Sequence, residues 1–221
     1  MTIRTNDKEG QSGDPWSTPV PVVIMLAPTL RDVAQKLAQG ETRSAVEQCT
    51  AYACGGDHHA QAALAAFWLF AARDPRRINH ATTWARRAHD AGCSHGTYVL
   101  GFVALAQENR KLARQWIQEA VNRDFSPAML TLGRFEIDGV GGPIDVAAGL
   151  AHLRGAVGRG HRLAAITLWA FQARHSRNVA ARSYAQLRLV AATIAWIVAH
   201  KMRPYGERNN VYIWPTVVGS R

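Results

Sequence analysis

The chain has 221 residues, 48% of them hydrophobic and 19% charged, with a formal charge of +10. That is an ordinary globular mix, long enough for a sizeable core, and it excludes a wholly disordered or collagen-like chain. The charge comes from 22 arginines and only four lysines against 16 acidic residues; a field of that sign attracts nucleic acid, acidic membrane or an acidic partner.

Residues 1–28 read as a separate segment. The start, MTIRTNDKEG, is polar and has no apolar core of the signal-peptide kind, so a cytoplasmic location is the expectation. Residues 15–28, PWSTPVPVVIMLAP, hold four prolines, which forbid a helix, yet are too apolar for a free linker. They are expected to lie extended against something. Helix signals begin at Thr29, a candidate cap for TLRDVAQKLAQG, and a second helix is predicted over Glu41–Cys54.

The chain then repeats itself. HAQAALAAFWLFA (59–71), HGTYVLGFVALAQ (95–107), SPAMLTLGRFEID (126–138) and RLAAITLWAFQAR (162–174) align on Leu64, Leu100, Leu132 and Leu168, at intervals of 36, 32 and 36. A second element follows each and aligns on Ala88, Ala120, Ala156 and Ala192, at intervals of 32, 36 and 36. Two helical patterns per period of this length predict stacked helical hairpins, with small residues such as Gly101 and Gly133 letting the paired helices close up. The glycines of GVGG (139–142) supply the turn, and Asp145 is placed to cap the helix after it.

In residues 126–161, Ala128, Leu132, Gly133, Gly139, Gly141, Asp145, Ala156 and Gly160 fill a pattern that resembles the SEL-type repeat, a relative of the tetratricopeptide repeat. Three positions depart from it: Glu136 stands where an aromatic is usual, Gly142 where valine is, and His152 where tryptophan is. The copy at 59–93 keeps Trp68 and Trp84 without the glycine turn; that at 95–125 keeps Leu100, Gly101, Trp116 and Ala120 around a shortened turn, Gln107–Lys111; that at 162–200 is degenerate. The likeness covers about 140 residues and leaves out the first 28 and the last 18.

The expected architecture is an all-α solenoid of about five antiparallel hairpins over residues 29–203, with a tail at 204–221. The resemblance implies a noncatalytic scaffold that holds another protein on a curved surface. In such stacks the first helix of each hairpin lines the concave face. Counting from the leucine landmarks, that lining takes Tyr98, Phe102 and Leu105 from the second copy, Leu130, Arg134 and Ile137 from the third, and Ile166 from the fourth. These are the candidate partner-binding residues. A wet apolar groove is costly, at roughly 25 cal/mol per Å². Three things could cover it: a partner's peptide or helix, the chain's own WSTPVPVVIMLA or VYIWPTVV, or neighbouring helices, if the positions are inter-helix core.

Motifs for chemistry are missing. There is no phosphate-binding G-x-x-x-x-G-K-[ST], no H-E-x-x-H and no G-x-S-x-G. Cys49 and Cys54 with His58 and His59, and Cys93 with His89 and His95, lack the paired spacing of a structural zinc site and read as free thiols and ordinary histidines. No cofactor, metal or enzymatic activity is expected. A competing reading is a nucleic-acid or acidic-polymer binder using Arg76, Arg77, Arg86, Arg87, Arg110, Arg114 and Arg123. A third is self-assembly. The predicted last helix, Val179–Met202, is almost unbroken apolar sequence from Leu189 to Ala199, although a terminal repeat normally turns a polar face outward; the tail or a second copy is expected to cover it. No stretch is long enough to span a membrane.

Overall fold

The computed structural model describes residues 27–70 and 76–202. Among them are ten α-helices and no strand. After a 3₁₀ turn at Pro28–Leu30 the helices run α1 Arg31–Ala38, α2 Thr42–Cys54, α3 His58–Phe70, α4 Arg77–Asp90, α5 Ser94–Ala106, α6 Arg110–Asn122, α7 Ser126–Asp138, α8 Val146–Gly158, α9 Arg162–His175 and α10 Val179–Met202. They pair as five hairpins, each packed on the next through its second helix, with α3 also touching α5. The extended segment and tail expected from the sequence fall almost wholly outside the described residues.

The repeat is visible in the backbone. Each passage from one hairpin to the next turns on a left-handed residue: Gly56 (φ 95), Gly92 (φ 82), Asp124 (φ 58) and Gly160 (φ 79). These follow one another at the same intervals as the landmark leucines. Glycine reaches this conformation freely, whereas Asp124 is a residue for which it is merely tolerable. Its carboxylate takes an ion pair from Arg159 at 2.6 Å.

Caps recur at the helix starts. Asp57 accepts from the amides of His59 and Ala60, Asn109 from Leu112, Asp145 from Ala148 at 2.9 Å and His161 Nδ1 from Ala164 at 3.1 Å. Asp145 thus takes the role read from the sequence. Thr29 does not: Pro28 starts a tighter turn one step early, closed by Leu30 N–H on the Ala27 carbonyl at 2.9 Å. Leu30 then occupies the cap position of α1 with no side-chain bond, and its side chain is fully buried.

The core runs along the stack. Leu64, Leu100, Leu132 and Leu168 are all buried, as are Ala88, Ala120 and Ala156. Small residues set the helix spacing, as expected. A methyl group on Gly101 would overlap the side chain of Ile117 across the α5–α6 hairpin. One on Gly133 would lie 2.7 Å from the Gly149 carbonyl oxygen, across α7–α8. The turn after α7 begins with Gly139 in the left-handed region, and Gly141 behind it lies against the Arg110 carbonyl at the start of α6.

Candidate interaction surface

The first helices of successive hairpins, α3, α5, α7 and α9, carry the predicted lining. Structure divides it. Phe102 and Leu130 are buried, while Tyr98, Leu105, Arg134, Ile137 and Ile166 are half-buried. Tyr98, Phe102 and Leu105 join the core that runs from α1 to α7; Leu130 and Ile137 join the core between α7 and α9, with Leu163. Phe102 and Leu130 are therefore not wet, because neighbouring side chains close over them.

An aromatic group forms the middle of this surface. Tyr98 packs edge-on against Phe102 at 4.9 Å and tilts against Phe125 at 5.2 Å; Phe102 meets Phe70 of α3 edge-on at 5.7 Å. The Tyr98 hydroxyl shares a 3.1 Å hydrogen bond with Thr131, which ties α5 to α7. Burial pushes the Tyr98 phenol up to about 12, the Thr131 bond partly opposing it. His95 stacks on Phe125 at 5.8 Å, and burial, then the nearby His59, brings it down to about 4. Burial also draws the Arg134 guanidinium below its ordinary value, with Asp138 acting the other way. Arg134 is thus a half-buried cation with the Asp138 carboxylate nearby.

Next to this lining lies a polar network that spacing does not reveal. Glu136, on α7, is buried, and its Oε2 is 2.7 Å from His152 Nδ1 on α8. Its Oε1 lies 3.6 Å from Arg114 Nη2 on α6, and Arg114 Nη1 donates to the Pro143 carbonyl at 3.3 Å. Glu136 and His152 are two of the three departures from the repeat pattern, and they meet. Where an aromatic and a tryptophan would pack, this chain has an acid and a base, locked by an arginine from the preceding hairpin. The signal was present as two departures in one copy.

The arginine set is partly occupied. Arg114 serves Glu136; Arg123 pairs with Glu119 at 2.9 Å and donates to the His89 carbonyl at 3.4 Å. Arg87 lies over Trp84 at 4.8 Å, and with Arg76, Arg77, Arg86 and Arg110 it is exposed. Cys49 and Cys93 are buried, Cys54 is exposed, and all three are free thiols. Among the described residues no three of His, Cys, Asp or Glu gather where a metal could sit, and no helix is long and apolar enough to cross a membrane.

Stacked hairpins with this period, left-handed joints and close glycine contacts define an α-solenoid of the SEL1-like-repeat kind. A solved structure agrees at the level of fold. The chain is similar to c5321, a protective antigen present in uropathogenic Escherichia coli strains that displays an SLR fold, with a TM-score of 0.58 and 19% identity over 82% of this chain; it spans 40% of that protein. It is also similar to a Sel1 repeat protein from Oxalobacter formigenes, at 24% identity and a TM-score of 0.45, covering 55% of this chain and 95% of that one. No family model and no curated protein matches the chain.

Proposed function

We propose that this protein is a noncatalytic adaptor that holds a segment of another protein along the first helices of its hairpins. The observation that carries the reading is the row Tyr98, Leu105, Arg134, Ile137 and Ile166. Its members stand on consecutive first helices and keep part of their surface accessible, with mostly apolar and aromatic character. An extended peptide or amphipathic helix with apolar anchors fits such a row. Phe102 and Leu130 then act beneath it, setting the shape of the lining.

The test is capture of partners by the intact protein and by Arg134→Ala, Ile137→Glu and Ile166→Glu variants, with circular dichroism to confirm the fold. A partner retained by all three variants would refute the assignment. Salt separates this from the basic-polymer reading. A polymer bound by the exposed arginines of α4 and α6 would be released steeply as salt rises, whereas an apolar groove keeps its grip.

A further inference from the structure

The last helix carries two apolar sides. On the side that packs on α9, Ala185 is buried and Leu189, Ala192 and Trp196 are half-buried. On the opposite side Val179, Leu187, Val190, Ile194, Ile197 and Val198 are exposed, Leu187 at 71% and Val190 at 56%. Leu187, Val190, Ile194 and Ile197 follow one another at three, four and three residues, so they share one face. From Val179 to Ile197 the strip runs about 27 Å along the helix, at about 1.5 Å per residue.

The surroundings of this strip hold positive charge and nothing to neutralise it. From Val146 to Met202 the chain has no aspartate or glutamate, against seven arginines and Lys201. Three of the arginines border the strip, and all three are exposed. Arg182 and Arg188 stand on α10 itself, and Arg162 reaches across from α9, its Nη1 donating to the Ala195 carbonyl at 3.4 Å. Their partners are neutral: Arg182 donates to the Ser176 carbonyl at 2.9 Å, and Arg188 lies over the Trp169 ring at 5.1 Å. No carboxylate among the described residues answers their charge.

We infer that this side of α10 lies on an anionic lipid surface. The apolar strip enters the boundary between headgroups and chains, and the arginines beside it meet lipid phosphates and carboxylates. Charge and shape together select that occupant. A second copy would bring the same cations and no acid from this region to meet them. Residues 203–221 hold three arginines and one glutamate, so they add to the charge. A nucleic acid would meet the arginines and leave the apolar strip in water. An acidic protein helix would need a groove to seat in, and α10 offers a ridge: it ends the described stack, packs on α9 and exposes every member of the strip. A bilayer surface needs no groove, and it supplies apolar depth and negative charge in one layer. The contact is peripheral, since no described helix is long and apolar enough to cross a membrane. It adds to the protein-binding row on the first helices and does not depend on it.

The test is sedimentation of the full chain with vesicles of equal parts phosphatidylcholine and phosphatidylserine, and with vesicles of phosphatidylcholine alone. Binding to the mixed vesicles is expected to be tighter by about tenfold or more, and to weaken as salt rises. Val190→Gln with Ile194→Gln leaves the charge unchanged and should weaken binding by about tenfold or more. Helicity should not change, since both side chains are exposed. Arg162→Gln with Arg182→Gln keeps a donor for each carbonyl and should weaken binding by about tenfold as well. Equal binding to the two kinds of vesicle, or none to either, would overturn the proposal. So would full binding by either double variant, which would move the contact to other residues. Binding that begins only once residues 203–221 are removed would also overturn it, since the tail would then be the cover.

Discussion

Gly133 and Gly149 face each other backbone to backbone across the α7–α8 hairpin. A methyl group on Gly133 would stand 2.7 Å from the Gly149 carbonyl oxygen, and one on Gly149 would stand 2.6 Å from that of Gly133. Neither carbonyl can move without unwinding its own helix. Gly133→Ala and Gly149→Ala are therefore expected to destabilise the protein by about 1–3 kcal/mol, although alanine is the better helix former. Gly155 in the same α8 is the control: a methyl group there meets the Met129 sulfur at 3.7 Å and the Arg159 guanidinium at 3.9 Å, both ordinary contacts, and Gly155→Ala should stabilise by about 0.5–1 kcal/mol. Thermal melts of the three variants check the opposite signs.

The contact between Glu136 and His152 makes a second prediction. The carboxylate is buried and held from both sides, so removing His152 leaves it short of a hydrogen bond and removing Arg114 leaves it short of an ion pair. Arg114→Ala and His152→Ala are each expected to cost about 1.5–3 kcal/mol. Replacing Glu136 with tyrosine and His152 with tryptophan together, as the repeat pattern has them, should cost less than the two single changes added. A double-mutant cycle by denaturant unfolding measures the coupling, expected at about 0.5–3 kcal/mol.

His161 predicts a pH dependence. Its Nδ1 accepts the Ala164 amide at the start of α9, and burial lowers the ring from 6.5 to about 4. The folded state thus binds fewer protons than the unfolded chain between those values. The stability it contributes is fully present above about pH 6.5 and is lost as pH falls toward 4, with a slope of up to about 1.4 kcal/mol per unit. His161→Asn keeps an acceptor for the cap and removes the titration, so its melting temperature should fall less steeply across that window.

Thiol chemistry should separate the cysteines. Cys49 is buried, its sulfur pointing at the Ala60 carbonyl at 3.4 Å, and burial, followed by Asp57 and Asp32, raises it to about 12. Cys93 is buried as well, and Cys54 is exposed. A thiol reagent should label one cysteine quickly in the native protein and all three in denaturant. Fast labelling of Cys49 would mean that the first hairpins open far more readily than their packing implies.

Much of this molecule follows from local rules that can be read along the chain. The interval between Leu64, Leu100, Leu132 and Leu168, the small residues opposite them and the glycine joints define helical hairpins before any contact is known, because a helix pair that buries one leucine row must repeat at the length of the pair. The last helix, Val179–Met202, and the cap at Asp145 are legible for the same reason, as each depends on neighbours within a few residues. Three features depended on the tertiary structure. Phe102 and Leu130 sit at lining positions yet are covered by adjoining helices, and how deep a lining lies depends on how closely the hairpins stack. Glu136 and His152 each look like decay of the pattern, and become a pair only when α7 and α8 bring them to 2.7 Å, with Arg114 arriving from a third helix. The apolar run in α10 is apolar on two sides; packing against α9 decides which side is covered and which stays exposed among the described residues. Sequence carries periodicity because periodicity is local, whereas partnership between side chains is set by the distance between helices, and only the assembled stack determines that distance.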